Sequence, residues 1–275
     1  MTGGGSVASV LSAIADPARP AIDARVAIVV AHPDDETLGC GALLHRLRHA
    51  TLVHVTDGAP RDGADARRHG YPDPAAYAAA RRTELADALR IGGVEPERSV
   101  FLDLPDQGVV GLLDAVASRL WPILAGQDVV LTHAYEGGHP DHDATALAVG
   151  IAVERLRPGG PAILAMPFYR AGPGRAEWVR QEFGADGSPA SVLRLTDAER
   201  RSKLAMLGAH RSQADTLSPF GAADEAFRPA GPLDVFRPPN GGHVLYEGFG
   251  WGSSAADLCR EAAAVLSRLV PDRAA

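Results

Sequence analysis

Between residues 26 and 167, short apolar runs alternate with longer segments that carry the 3.6-residue periodicity of amphipathic helices. The apolar runs are predicted strands, at residues 26–30, 52–56, 100–102, 129–131 and 162–166. The segments between them are predicted helices, at residues 37–48, 75–91, 111–124 and 143–155. Runs as continuous as these are typical of strands buried on both faces of a parallel sheet. The alternation predicts an α/β fold, a Rossmann-like three-layer sandwich with a mostly parallel sheet.

After residue 167 the pattern is less regular. Proline and glycine are frequent in 168–189 and 219–242, and loops of that length in a compact domain are usually functional or disordered. A helix is predicted over 196–208, where Thr196 and Glu199 match a capping box. A closing helix is predicted over 253–269.

The domain organisation follows from this pattern. Residues 1–20 are predicted to be a short N-terminal extension. Residues 21–275 are predicted to be a single domain, with a core over about 25–215 and an irregular C-terminal cap over about 216–275.

Composition excludes several classes of function. A net charge of −7 gives no basic footprint for nucleic acid. No apolar stretch approaches the length of roughly 20 residues that a membrane span needs, and the start of the chain lacks the basic and apolar regions of a signal peptide. The chain has only 2 cysteines, so a disulfide framework is not expected. These features predict a cytoplasmic protein.

Two motifs combine imidazoles with carboxylates at the ends of predicted strands. His32-Pro33-Asp34-Asp35-Glu36 follows the first strand, and His139-Pro140-Asp141-His142 follows the fourth. In a doubly wound sheet of order 3-2-1-4-5, strands one and four are neighbours at the point where the strand order reverses. Both motifs are therefore expected to open into the same crevice. Burying so many ionisable groups is costly without a metal ion or a substrate.

The residue types predict a catalytic metal site. His32, Asp35 and His142 supply two imidazoles and one carboxylate, which leaves positions open for water and substrate, as in catalytic zinc sites. Such a site promotes hydrolysis by a metal-bound water. Asp34 is then free to act as general base, with the low pKa of a carboxylate beside a metal. His139 is predicted to be an imidazolium that stabilises an oxyanion or protonates a leaving amine.

Three other classes of function fit parts of the pattern. Gly39-x-Gly41 and Asp57 occupy the positions of a dinucleotide-binding turn, but Leu44 replaces the third glycine and the first motif fills the space for the pyrophosphate. His32-x-Asp34 with His142 matches the facial triad of non-haem iron oxygenases, a triad more usual on all-β scaffolds. A non-catalytic sugar-binding module is the third, although pure binding leaves Asp34 without a purpose.

The chain resembles the LmbE/PIG-L-type N-acetylglucosaminyl deacetylases over roughly residues 25–215. Four segments carry the resemblance: AHPDDETLGCGALL at 31–44, RRTELADALRIGG at 81–93, GGHPDHDATALAV at 137–149 and KLAMLGAHRSQ at 203–213. It implies zinc, or iron in the cell, held by His32, Asp35 and His142. It also implies that Asp34 is the base and that His139 is the charge-stabilising or acid residue.

The resemblance further implies how the substrate is held and what it is. The implied substrate-binding residues are Arg81, with Arg82 as its alternative, Asp106 and His210, although a histidine at a helix end is as often a dipole partner. The implied reaction removes an N-acetyl group from a small amino sugar or its conjugate and releases acetate and a free amine. The stretches 168–189 and 219–242 are expected to wall the pocket, with residues 168–170 at its rim.

Overall fold

The computed structural model describes residues 7–174, 177–185 and 187–271. Its strands are β1 (Ile22–Val30), β2 (Leu47–Pro60), β3 (Ser99–Asp106), β4 (Val129–His133), β5 (Ala162–Met166), β6 (Tyr169–Ala171), β7 (Trp178–Arg180), β8 (Ser191–Arg194) and β9 (Asp224–Pro229). Its α-helices are α1 (Val7–Ala15), α2 (Asp35–Cys40), α3 (Ala64–Arg68), α4 (Pro74–Ile91), α5 (Leu113–Leu124), α6 (Pro140–Arg155), α7 (Asp197–Ala209), α8 (Ala214–Leu217) and α9 (Ala255–Leu269).

A seven-stranded sheet of order β3-β2-β1-β4-β5-β9-β8 forms the centre of the molecule. The first five strands pair in parallel, in the predicted order 3-2-1-4-5. Strand β1 lies between β2 and β4, with Val26 opposite Val129. The strand order therefore reverses between β1 and β4, as predicted. Strands β9 and β8 extend the sheet in antiparallel fashion beyond β5.

Two hydrophobic cores lie on opposite faces of this sheet. Along β1, Ile28 and Val30 belong to the core shared with α4 and α7, whereas Ala27 and Val29 belong to the core shared with α5, α6 and α9. This split follows from the alternation of side chains along a strand. The predicted α/β three-layer sandwich is therefore confirmed.

The first predicted helix is shorter than expected. It was predicted over 37–48, but α2 ends at Cys40, a short 3-10 turn covers Leu44–Arg46, and β2 begins at Leu47. Tertiary contacts replace the hydrogen bonds that a longer helix would have made. The Glu225 carboxylate accepts the backbone N–H groups of Ala42 and Leu43, at 2.7 and 3.2 Å.

The C-terminal part is more regular than predicted. Strand β9 lies within the stretch 219–242 and pairs with the edge strand β5, so part of the expected cap belongs to the central sheet. The prediction over 196–208 is confirmed as α7, with the capping box of Thr196 and Glu199 present. Helix α9 matches the predicted closing helix and starts after Ser254, which caps it.

Within the predicted N-terminal extension, α1 packs on the core shared with α4 and α7. Val10 and Ile14 are buried there, and the Arg46 guanidinium donates to the carbonyls of Ala13 and Ile14. Among the described residues, no helix combines the length and apolar character needed to cross a membrane.

Candidate active site

The two motifs lie side by side at the carboxyl ends of β1 and β4. His32 follows β1 by two residues, and Asp35 begins α2. In the second motif, His139 caps the N-terminus of α6 and Pro140 occupies its first turn. Proline is favoured there because its missing N–H would have had no partner in the helix.

The side chains of three residues form a small triangle between the motifs, with both oxygens of Asp35 taking part. His32 Nδ1 lies 3.2 Å from Asp35 Oδ2 and 3.2 Å from His142 Nε2, and His142 Nε2 lies 3.4 Å from Asp35 Oδ1. Ligands about 2.0–2.1 Å from one tetrahedral zinc ion are separated from each other by roughly 3.3 Å. The spacing of these side chains, each 6% exposed or less, fits one such ion.

Hydrogen bonding orients His32 within the triangle. Its Nε2 lies 3.1 Å from Asp106 Oδ1, so a proton on Nε2 is donated to this carboxylate and the Nδ1 lone pair faces Asp35 and His142. A carboxylate behind a histidine is the usual arrangement at metal sites. Burial opposes the charged form of His32, but Asp106, Asp141 and Asp35 outweigh it and raise its pKa well above the usual range. The surroundings thus favour positive charge at this position.

Other groupings of donors overlap the triangle. Their members are His32, His139 and His142; Asp35, His133 and His142; and His32, Asp106, His139 and Asp141. Hydrogen bonds occupy several of these atoms. His133 Nε2 accepts the N–H of Ala31 at 2.8 Å, and Asp141 accepts those of Gln107 and Val109 at 2.6 and 3.1 Å. His133 and Asp141 therefore hold the loops around the triangle.

Asp34 points to one side of the triangle, toward Arg81. Arg81 Nη2 donates to Asp34 Oδ2 at 2.8 Å, and Arg81 Nη1 donates to the Gly58 carbonyl at 2.6 Å. Gly58 has φ +71°, and a Cβ at this position would overlap the guanidinium. Burial raises the pKa of Asp34 to about 7, although Arg81 lowers it. The low pKa was expected for a carboxylate beside a metal ion; among the protein groups alone, burial acts in the opposite direction and outweighs Arg81.

His139 is placed as a neutral hydrogen-bond donor. Its Nδ1 accepts the N–H of Asp141 at 3.1 Å, so the proton lies on Nε2, which is 3.9 Å from Asp106 Oδ1. Burial and the neighbouring His32 and His142 lower the pKa of His139 well below its usual range. The imidazolium predicted from the sequence is therefore disfavoured, and the ring offers Nε2–H instead of a full charge.

The residues expected to bind substrate divide into two groups. Arg81 and Asp106 lie beside the triangle, with Arg81 Nη1 4.0 Å from Asp106 Oδ2. Arg82, the alternative to Arg81, instead pairs with Asp103. His210 is only 1% exposed, and its Nε2 lies 3.3 Å from Thr37 Oγ1 on α2.

A buried cluster behind the first motif was missed in the sequence. Glu36 accepts the backbone N–H of Asp34 at 3.1 Å, and His54 Nε2 lies 3.2 Å from the same Glu36 oxygen. His210 Nε2 approaches the other oxygen at 4.0 Å. Glu36 thus supports the backbone of Asp34, beyond the helix-starting role its position suggested. Only its place within the first motif hinted at this, since His54 lies inside a strand.

Comparisons with known proteins agree with this arrangement. Residues 27–153 match the family described as PIG-L: GlcNAc-PI de-N-acetylase. A relative from Bacillus cereus, the probable N-acetyl-alpha-D-glucosaminyl L-malate deacetylase 2, is 26% identical over 208 residues, which cover 71% of this chain and 86% of the relative.

Solved structures share the fold at lower identity. The zinc-inhibited form of teicoplanin deacetylase Orf2 superposes with a TM-score of 0.58 at 17% identity, covering 76% of this chain and 99% of that one. The N,N'-diacetylchitobiose deacetylase from Pyrococcus horikoshii, complexed with its inhibitor MPG, has a TM-score of 0.54 at 22% identity, covering 80% of this chain and 88% of that one. The resemblance drawn from the two motifs is confirmed, because residues 27–153 match the PIG-L family model.

Proposed function

We propose that this protein is a metal-dependent deacetylase that hydrolyses the N-acetyl group of an amino sugar or amino-sugar conjugate. The observation that carries the proposal is the triangle of His32, Asp35 and His142 with the Asp34 carboxylate turned aside from it. A site that only bound a metal or a sugar would have no use for a separate buried carboxylate. The relatives named as deacetylases of N-acetylated sugars support the same reaction class.

Zinc is the proposed cation, held by His32 Nδ1, Asp35 and His142 Nε2, and iron(II) is the alternative that metal analysis distinguishes. The donor set of two imidazoles and one carboxylate suits either ion. When bound, the cation supplies Lewis-acid chemistry that acidifies water and polarises an amide carbonyl. The remaining steps depend on side chains of this chain.

Asp34 accepts the proton of the attacking water. Its pKa of about 7 suits a group that takes up a proton and later returns it to the leaving amine. Arg81 holds one carboxylate oxygen at 2.8 Å, which fixes the direction of the other. Because the Nη atoms of Arg81 already bond within the protein, we assign it first to positioning Asp34; a direct contact with the sugar stays a prediction.

His139 donates its Nε2 proton in a hydrogen bond to the oxygen that becomes negative when the carbonyl is attacked. A neutral donor held in place before the reaction stabilises such an oxyanion without a cost of reorganisation. The backbone N–H of Asp141 donates to His139 Nδ1 at 3.1 Å and keeps the ring oriented. The products are acetate and a free amine.

The other classes of function fit the site less well. A facial triad of His32, Asp34 and His142 would need Asp34 to face the imidazoles, but its Oδ2 pairs with Arg81. For a dinucleotide, the Asp34 and Asp35 carboxylates would repel a pyrophosphate at the start of α2. Release of amine from any member of a panel of N-acetylated sugars would exclude a non-catalytic binding module.

Replacement of Asp34 tests the proposal. The Asp34→Asn variant should keep stoichiometric metal and its fold and lose about 10²–10⁴-fold in kcat, the range for general acid–base groups. The panel would contain N-acetylglucosamine, N,N'-diacetylchitobiose and N-acetylglucosaminyl malate, with released primary amine as the signal. Asp57→Asn is the matched control, because Asp57 lies on β2 and pairs with Arg61 at 2.7 Å, outside the triangle.

Three results are decisive. Wild-type turnover in Asp34→Asn would remove Asp34 from the mechanism. Loss of metal in that variant would make Asp34 a ligand. No amine release by the metal-loaded wild type across the panel would refute the proposed reaction.

A further inference from the structure

Six aromatic rings next to the candidate site form a closed circuit of contacts. Neighbouring ring centroids are 4.6–5.8 Å apart around the whole circuit. In order, the rings are those of His139, Trp251, Phe249, Trp178, Tyr169 and His142, which leads back to His139. The circuit thus starts and ends at the two histidines of the second motif.

Two of these rings are large and exposed. The relative exposure of Trp178 is 40% and that of Trp251 is 36%. The third tryptophan, Trp121 on α5, instead packs under the guanidinium of Arg155 at the end of α6. Exposed apolar groups gathered beside a polar site mark binding surfaces more often than scattered single ones. The clustering of both exposed tryptophans at the site therefore indicates a ligand-binding surface.

The segments that carry these rings are tied to the second motif. Glu136 Oε1 accepts the backbone N–H groups of Phe168 and Tyr169 at 2.6 and 3.1 Å, which anchors the β6–β7 hairpin. The Gly137 carbonyl accepts the N–H of Leu245 at 2.8 Å, which anchors the segment leading to Phe249 and Trp251. Both arms of the circuit are thus built onto the loop that ends in His139.

The hairpin also sets which way its rings face. In the antiparallel pair, Tyr169 is opposite Arg180 and Ala171 is opposite Trp178, so these four side chains share one face. Tyr169 and Trp178 stack with an interplanar angle of 8°, and Arg180 Cζ lies 5.3 Å from the centre of the Trp178 ring. This cation makes the surface suited to a neutral or anionic group.

We propose that Trp178 and Trp251 form a subsite that binds a second ring of the substrate, attached to the N-acetylated sugar, through the apolar face of that ring. The inference rests on the proposed function and names its substrate class: two-ring conjugates in preference to a free monosaccharide. A sugar ring and an aryl group share this chemistry. Trp178 lies within the stretch 168–189 that was expected to wall the pocket, whereas Trp251 lies outside both predicted stretches.

The subsite acts by binding. Its rings contact a part of the substrate that does not react, so the interaction is equal in the ground state and the transition state. Such uniform binding lowers KM and leaves kcat nearly unchanged. Removal of one of the two stacking rings should therefore raise KM by up to about tenfold, which corresponds to about 1.4 kcal/mol.

The test compares Trp178→Ala with Trp121→Phe as the control. Trp178 is the better probe because its ring contacts are with Tyr169 and Phe249, whereas Trp251 touches His139 at 4.9 Å. The substrates are N-acetylglucosamine, N,N'-diacetylchitobiose and phenyl N-acetyl-β-glucosaminide, assayed with metal-loaded enzyme. We expect the ratio of kcat/KM for either two-ring substrate to that for the monosaccharide to fall about tenfold through KM in Trp178→Ala. Trp121→Phe should keep the wild-type ratio.

An unchanged ratio in Trp178→Ala would overturn the subsite. A fall for only one of the two-ring substrates would support it and tell a sugar ring from an aryl ring. Binding of phenyl N-acetyl-β-glucosaminide, measured by calorimetry in the Asp34→Asn background, separates this inference from the proposed function. This test works even if the wild type releases no amine. Weaker binding of the phenyl glycoside by Asp34→Asn/Trp178→Ala than by Asp34→Asn would support the subsite. Equal binding by the two variants would refute it.

Discussion

Removing the buried cation of Lys203 should destabilise the protein strongly. Lys203 on α7 is fully buried, and its Nζ donates to Glu225 and to the Leu38 carbonyl, both at 2.8 Å. Glu225 in turn accepts the N–H groups of Ala42 and Leu43. The pair thus joins α7 and β9 to the end of α2, the helix that carries the first motif. Lys203→Met keeps most of the apolar stem and removes the charge.

The magnitude follows from the charge left behind. In Lys203→Met, the Glu225 carboxylate keeps its two backbone donors but stays buried without a counterion. Breaking a buried pair by removal of one partner typically costs 3–5 kcal/mol, roughly. In Lys203→Met/Glu225→Gln the charge is gone and one oxygen still accepts a backbone N–H. The double variant should therefore lose less unfolding free energy than Lys203→Met and Glu225→Gln lose together, by roughly 1–3 kcal/mol.

Urea unfolding followed by tryptophan fluorescence and far-ultraviolet circular dichroism measures these values. With a slope of about 3 kcal/mol/M, Lys203→Met should lower the midpoint by roughly 1–2 M. Arg201→Met, at an exposed position of the same helix, is the control and should stay within about 0.5 kcal/mol of the wild type. A loss under about 1 kcal/mol for Lys203→Met, or strict additivity in the double variant, would refute the reasoning.

Three further predictions concern the metal, a helix cap and a close backbone approach. His142→Ala should lose stoichiometric zinc, measured by metal analysis after dialysis; a full equivalent at wild-type affinity would refute the proposed ligand set. Glu199→Ala should cost about 1 kcal/mol, because Glu199 accepts the Thr196 N–H at 2.7 Å. Burial raises the pKa of Glu199, but hydrogen bonds from Thr196 and Arg19 outweigh it and lower the pKa below its usual value. The stability that Glu199 contributes is therefore present above the ordinary glutamate pKa of about 4.3 and is lost as the pH falls through the pKa in the folded protein. The denaturation midpoints of the wild type and Glu199→Ala should therefore converge in acid. A difference between the two midpoints that stays constant with pH would contradict this. Gly138→Ala should lower both activity and thermal stability, because its Cβ would overlap the Tyr169 carbonyl oxygen; wild-type values for both would show that the hairpin can move away.

Local pattern was enough for the central sheet and for the two motifs. Continuous apolar runs identified β1 to β5. The reason is clearest in β4 and in the second half of β1, which are buried on both faces and therefore need mainly apolar residues. The strand order then placed His32 and His142 together, because parallel strands end at one edge of a sheet. The capping box of Thr196 and Glu199 was visible for the same reason, since its partners are three residues apart.

The edges of the sheet and the second part of the chain were harder to predict. Strand β9 has no alternation that distinguishes it from a loop, and it is a strand because β5 offers an unpaired edge. The end of α2 depends on Glu225, which is far away in sequence. Such contacts leave no periodic signal in the segments that they join.

The sequence by itself determined the fold class, the strand order and the convergence of the two motifs, because these follow from the periodicity of burial and from the direction of parallel strands. Only the tertiary structure decided what each side chain at the site faces. It turned Asp34 to Arg81, set His32 against Asp106, and brought Trp251 to His139 from more than a hundred residues away. The physical reason is that burial, tautomer and charge depend on the neighbours that packing supplies, and a residue's type does not specify those neighbours.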